Sequence, residues 1–129
     1  MSERIEKLAR QAAWSRATFG PGTREKGVLE HIGKELVEVA NAATLEEKAQ
    51  EWVDVVILGN DGLWRCCKAY LIEQRLLHGD DTEPTHNEIA ALAILLIDRK
   101  LAKNELRDFG DWRTRSEDEA IEHKRGIHD

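Results

Sequence analysis

Glu35 and Glu38, followed after twelve residues by Glu51 and Asp54, form two i,i+3 carboxylate pairs in sequence of helical character. Side chains three apart share a helix face, so each pair presents two oxygen-rich groups in one direction, the donor type that hard divalent cations take. Thr44 stands where a helix should begin, with Glu47 three residues on as its capping partner. Glu35 and Glu38 therefore end one helix, and Glu51 and Asp54 start the next. In an antiparallel hairpin turning near Thr44 and Leu45, residues whose numbers total 89 lie opposite. That sets Glu35 against Asp54 and Glu38 against Glu51.

Glu35 and Glu38 run beside an apolar stripe of Val28, Ile32, Leu36 and Val39, which predicts that both are partly buried. Trp52, Val53, Val55, Val56, Ile57 and Leu58 surround Asp54, so the start of the second helix should be buried on most sides. Carboxylates at such a place need protonation, a Lys or Arg partner, or a cation. Between Glu30 and Asp61 eight acidic residues meet two basic ones, Lys34 and Lys48, a local net of −6 that equals the whole chain's. Pairing inside the hairpin cannot neutralise this excess. One ExxE is common in solvated helices because Glu favours helix; two facing pairs are less easily explained that way.

The elements that must position these groups are helices, since helical periodicity dominates and strand signals are nearly absent. A first helix runs from about Ser2 to Thr18, with Ile5, Leu8, Ala12 and Trp14 along an apolar stripe, and stops at Phe19-Gly20-Pro21-Gly22. A second covers about Glu25 to Ala42. A third starts after Thr44 and continues to about Leu77, with Gly59 and Gly62 as places where it can kink. After a polar loop from Gly79 to Pro84, Thr85 and Glu88 form another capping box ahead of the apolar helix Ile89 to Leu106. The polar stretch Arg107 to Asp129 is expected to wrap the bundle or a neighbouring subunit. The fold class is all-α, a single domain over residues 1–129.

Complementary charge follows the fourth helix's core segment, where Lys100 and Asn104, and Lys103 and Arg107, are i,i+4 pairs suited to gripping phosphates. An acidic hairpin and a basic helix end together suit an anionic substrate that arrives with cations, such as a nucleoside triphosphate. Trp14 is a candidate stacking surface for the base and Trp64 a lesser one, whereas Trp52 belongs with the core. Asp61, two turns after Asp54 on its face, can serve a further metal, the sugar or a guanine edge; an ion pair with Arg65 at i+4 is an equal expectation. His31, one turn before Glu35, is expected to support it by hydrogen bonding.

A chain of 129 residues with 41% apolar content is the size of one domain, and no apolar run approaches a membrane span. The charged opening residues do not resemble a signal sequence, so the chain reads as soluble and cytoplasmic, with no membrane partner. Adjacent Cys66 and Cys67 suit neither a disulfide framework nor a CxxC site. The net charge of −6 argues against a nucleic-acid-binding surface.

ExxE, twelve residues, ExxD resembles the signature of the MazG-like all-α nucleoside triphosphate pyrophosphohydrolases. Trp14-Ser15-Arg16, Thr18 to Gly22, Gly27-Val28, His31-Ile32, Asp54 to Leu58, Asp61-Gly62 and Trp64-Arg65 extend the likeness to a phage and bacterial dATP/dGTP pyrophosphohydrolase subgroup. Lys103-Asn104, Arg107, Asp111-Trp112-Arg113 and Ala120 to His123 carry it through nearly the whole chain. Two places depart: Lys34 precedes Glu35 where many members carry a second glutamate, and Asp108-Phe109-Gly110 replaces a usual Thr-Trp-Pro.

The resemblance implies a four-helix bundle, cleavage between the α and β phosphates, and Mg2+ or Mn2+, two or more ions, held by Glu35, Glu38, Glu51 and Asp54. The chemistry of the residues agrees: a free oxygen of Glu35 or Glu38 can take the proton of the attacking water, and Lys100, Lys103, Asn104, Arg107, Asp61 and Trp14 are the candidates to bind substrate. The resemblance also implies a homodimer or homotetramer, in keeping with a third helix too apolar for three small neighbours to cover. A di-iron bundle is set aside because no histidine lies three residues after Glu35 or Glu51. A catalytically silent nucleotide-binding or partner-binding helical bundle is the alternative.

Overall fold

The computed structural model describes residues 2–124 and is all-helical. Its elements are α1 (Glu3–Phe19), α2 (Glu25–Asn41), α3 (Leu45–Leu77), α4 (His86–Glu105) and a 3-10 turn at Trp112–Thr114. They fall into two compact units, one ending at Ile94 and the other beginning at Leu95, so that α4 contributes to both.

The helix ends follow from local chemistry. Ser2 caps α1, its hydroxyl accepting from the Ile5 N–H at 3.2 Å. Gly20 ends the helix at φ 93°, a left-handed conformation that glycine adopts without a Cβ clash. Thr44 caps α3 by accepting from the Glu47 N–H at 3.1 Å, but the Glu47 carboxylate reaches back one residue further than expected, to the Ala43 N–H. Thr85 and Glu88 form the reciprocal pair in full. That cap starts α4 at His86, three residues ahead of the expected Ile89, because the polar first turn carries no apolar signal. Gly59 and Gly62 lie inside one continuous α3 rather than breaking it.

In the first unit the core joins Leu8, Ala9 and Ala12 of α1, Trp64 and Cys67 of α3, and Ile89, Ala90 and Ala93 of α4. The alanines let the helices approach closely around Trp64, the largest buried side chain. Trp64 is thus a core residue, not a stacking surface. α2 packs on α3 through Val28 and Val39, and a Cβ at Gly62 would stand 3.4 Å from Val28.

The expected burial at the start of α3 does not hold within one chain. Trp52 is 51% exposed and Val56 60% exposed, and Val53 and Ile57 are exposed too. On α3 the core of the first unit is built further along, from Asp61 onward, and no described residue of that unit covers the outer face of the hairpin.

In the second unit the chain after α4 closes on itself. The Lys124 ammonium pairs with Asp108 at 3.2 Å, and Phe109 meets His123 edge to face. The expected wrapping tail extends to Asp129, and residues 125–129 lie outside the described region.

Candidate active site

The α2–α3 hairpin brings oxygens of Glu35, Glu38 and Glu51 within 4.8 Å of one another. Glu35 belongs to the buried face of α2, in line with Val28 and Val39, because positions 28, 35 and 39 repeat at helical spacing. Glu51 is half-buried at the start of α3, and Glu38 is exposed. Asp54, also exposed, stands outside this three-residue cluster but close enough to Glu35 to raise its pKa by charge repulsion.

The electrostatics are those of an overcrowded anionic site. Glu51 is pushed up to about 7, chiefly by the hydrogen bond it shares with Glu38, then by the one with Glu35, then by desolvation. Glu35 is raised as well, first by its contact with Glu38 and then by burial. One oxygen of Glu35 lies 3.3 Å from Nε2 of His31, near enough for an ion pair when the imidazole is protonated. The other, Oε2, and Oε2 of Glu51 are buried with no hydrogen-bond partner. Buried carboxylate oxygens without donors are costly, and a hard cation is the partner such a donor set suits.

A cleft of about 690 Å³ adjoins the cluster, walled by α1, α2 and α3 and reaching from Glu35 and Asp54 to Asp61. On the α1 side it is lined by Lys7, Arg10, Gln11, Trp14, Ser15 and Phe19. Trp14, expected partly as core, is 55% exposed on this wall, where it meets Phe19 edge to face. The Arg24 guanidinium stacks over the Phe19 ring, 4.8 Å from its centre. Arg24 itself holds φ 48°, a strained left-handed conformation for a non-glycine residue.

The floor at the far end is a buried polar network. Arg65, 2% exposed, donates to both oxygens of Asp61, to the Ser15 hydroxyl, and to the carbonyls of Gly20 and Gly22. The Ser15 hydroxyl in turn donates to Asp61 at 2.6 Å. Asp61 therefore has the i+4 ion pair with Arg65 and still lines the cleft. This network ties the loop after α1 to the middle of α3.

The other candidates lie elsewhere in the chain. Lys100, Lys103, Asn104 and Arg107 belong to the second unit, with Lys100 and Lys103 exposed on α4 and Asn104 accepting from Arg107 at 2.9 Å. α4 ends at Glu105, so Arg107 lies just beyond the helix that carries Lys100, Lys103 and Asn104. Lys7, Arg10 and Gln11 escaped the sequence reading, and Ser15 and Phe19 entered it only within the family likeness. The signal for the first three was the recurrence of Lys7, Arg10, Gln11 and Trp14 at i, i+3, i+4 and i+7, a polar and aromatic stripe opposite Leu8, Ala9 and Ala12.

A family model described as dATP/dGTP pyrophosphohydrolase matches residues 7–74, which is 68 of the 129 residues. No curated protein and no solved structure matches the chain. The matched segment begins at Lys7 and contains the carboxylate cluster and every residue lining the cleft.

Proposed function

Because the chain belongs to the dATP/dGTP pyrophosphohydrolase family, we propose that it hydrolyses dGTP and dATP between the α and β phosphates, giving a nucleoside monophosphate and pyrophosphate with Mg2+ or Mn2+ as cofactor. The observation that carries this reading is the convergence of Glu35, Glu38 and Glu51 at one end of a nucleotide-sized cleft, with two of their buried oxygens unpartnered.

Glu35, Glu38, Glu51 and Asp54 would hold two or more cations, which when bound supply charge neutralisation for the phosphates and a lowered pKa for the attacking water. Glu35 and Glu38 are the candidate bases. Glu35 is the better placed of the two, because it is buried on α2 and lines the cleft, whereas Glu38 is exposed. Trp14 offers the base a ring face, and Asp61 an acceptor for a sugar hydroxyl or a guanine edge. Lys100, Lys103, Asn104 and Arg107 are proposed to bind substrate phosphates and sugar.

We further propose that residues 1–129 act as one domain of a homodimer or homotetramer in the cytoplasm, where the nucleotide pool is. No described helix is long and apolar enough to cross a membrane. The exposed apolar face of the hairpin supports self-association, since Leu36 and Val37 of α2 lie opposite Val53 and Trp52 of α3 in the hairpin register and all four are exposed.

The test is pyrophosphate release from each dNTP and NTP with Mg2+ or Mn2+. dGTP and dATP should lead the panel, and Glu38→Gln should lower turnover at least about 100-fold without loss of helicity, the upper end of what residues merely supporting metal ligands contribute. Release from no nucleotide, with metal bound, would favour a silent nucleotide-binding bundle. Wild-type turnover in Glu38→Gln would place the metal site elsewhere.

A further inference from the structure

We propose that Lys7 and Arg10, on α1, bind the β- and γ-phosphates of the substrate, so that one face of this helix gauges the nucleotide from leaving group to base. The proposal rests on the reading of the cleft as a triphosphate site and extends it to residues outside the carboxylate signature.

The register of α1 on α3 sets the polarity. Gln11 donates to the Ile57 carbonyl at 2.8 Å and Ser15 to Asp61 at 2.6 Å, both 46 positions apart, so the two helices run parallel here at a constant offset. The same offset puts Lys7 level with Val53 and Arg10 level with Val56, on either side of Asp54. Trp14 falls level with Asn60, beside Asp61. All four residues Lys7, Arg10, Asp54 and Trp14 line the cleft. Its cationic α1 residues thus stand at the carboxylate end and its aromatic residues at the other.

This is the arrangement a metal-bound nucleoside triphosphate needs. Cations held by the α2–α3 carboxylates can cover one side of the polyphosphate, which leaves its opposite side facing α1. Helical rise separates Lys7 from Trp14 by about 10 Å along the axis and Arg10 from Trp14 by about 6 Å. Those spacings are on the scale of the reach from a purine ring to the outer phosphates. Both side chains are available: Lys7 has only an exposed pair with Glu3 at 3.1 Å, a contact of little strength, and Arg10 has no hydrogen bond or ion pair among the described residues. Arg10 brings a planar fork of donors suited to two phosphate oxygens, and Lys7 a mobile point charge.

Lys7→Met and Arg10→Met in the full chain test this. Each should raise KM for dGTP and the inhibition constant of pyrophosphate by roughly tenfold or more, the loss expected for one charge-assisted contact. Inhibition by dGMP, which lacks the outer phosphates, should stay within about twofold, a change too small to represent a lost contact. Lys7→Arg should recover part of the affinity. Unchanged KM and unchanged pyrophosphate inhibition in both variants would overturn the proposal, and so would an equal loss for dGMP. Calorimetric titration of each protein with pyrophosphate and Mg2+ separates this inference from the function it rests on. Wild-type binding that both Met variants weaken supports the phosphate site even if no nucleotide is hydrolysed, and equal binding by all three proteins refutes it.

Discussion

Glu51 is the residue whose environment most changes its chemistry. In the folded chain it holds a proton up to about pH 7, because Glu38 and Glu35 share hydrogen bonds with it, against 4.5 for the free side chain. Between those values the folded state binds more protons than the unfolded one, so the stability of the metal-free protein must fall as pH rises through this window and level off above it. A bound divalent cation would displace the proton and offset the repulsion. In melts with EDTA, Tm should therefore be lower at pH 8 than at pH 5, and added Mg2+ should raise it more at pH 8. Glu51→Gln should flatten the pH dependence in EDTA; an undiminished slope in that variant would assign it to other groups.

At the scale of elements, the cleft exists because α1 is fastened to α3 at a fixed offset and α2 is fastened to α3 as a hairpin. The first of these joints depends on Arg65, whose guanidinium satisfies Asp61, Ser15 and the Gly20 and Gly22 carbonyls together from a position that is 2% exposed. Arg65→Met leaves the Asp61 carboxylate buried without its cation and the loop carbonyls without their donor. We expect a loss of about 3–5 kcal/mol in urea unfolding, the usual result of removing one partner of a buried pair. A loss below about 1 kcal/mol, the range of exposed ion pairs, would show that water replaces the guanidinium. Phe19 borders the same loop, so this joint also sets the aromatic end of the cleft.

At the scale of the molecule, the apolar outer face of the hairpin departs from what a stable isolated chain presents. Trp52 at 51% exposure and Val37 at 58% stand opposite one another in the hairpin register, next to Leu36 and Val53. If this face joins copies of the chain, Trp52→Asp should convert the assembly to a monomer, as read by light scattering on a sizing column. An unchanged mass would move the interface to another surface.

The helices and the carboxylate pairs were legible in the sequence because they depend on short-range rules. Thr44 and Thr85 announce caps, Gly20 and Gly79 mark ends, and i,i+3 spacing places Glu35 with Glu38 whatever else the chain does. The hairpin register was legible too, since a turn of three residues, 42–44, leaves α2 and α3 one way to pair. Composition overstated the burial of Trp52, Val53 and Val56, because hydrophobicity says that a face must be covered and not by which chain. The tertiary structure alone decided where α1 lies against α3. Lys7, Arg10 and Ser15 are ordinary helix residues until the hydrogen bonds of Gln11 to Ile57 and Ser15 to Asp61 set them along the carboxylates. Such a contact joins residues 46 positions apart, and only packing determines which faces of two helices meet.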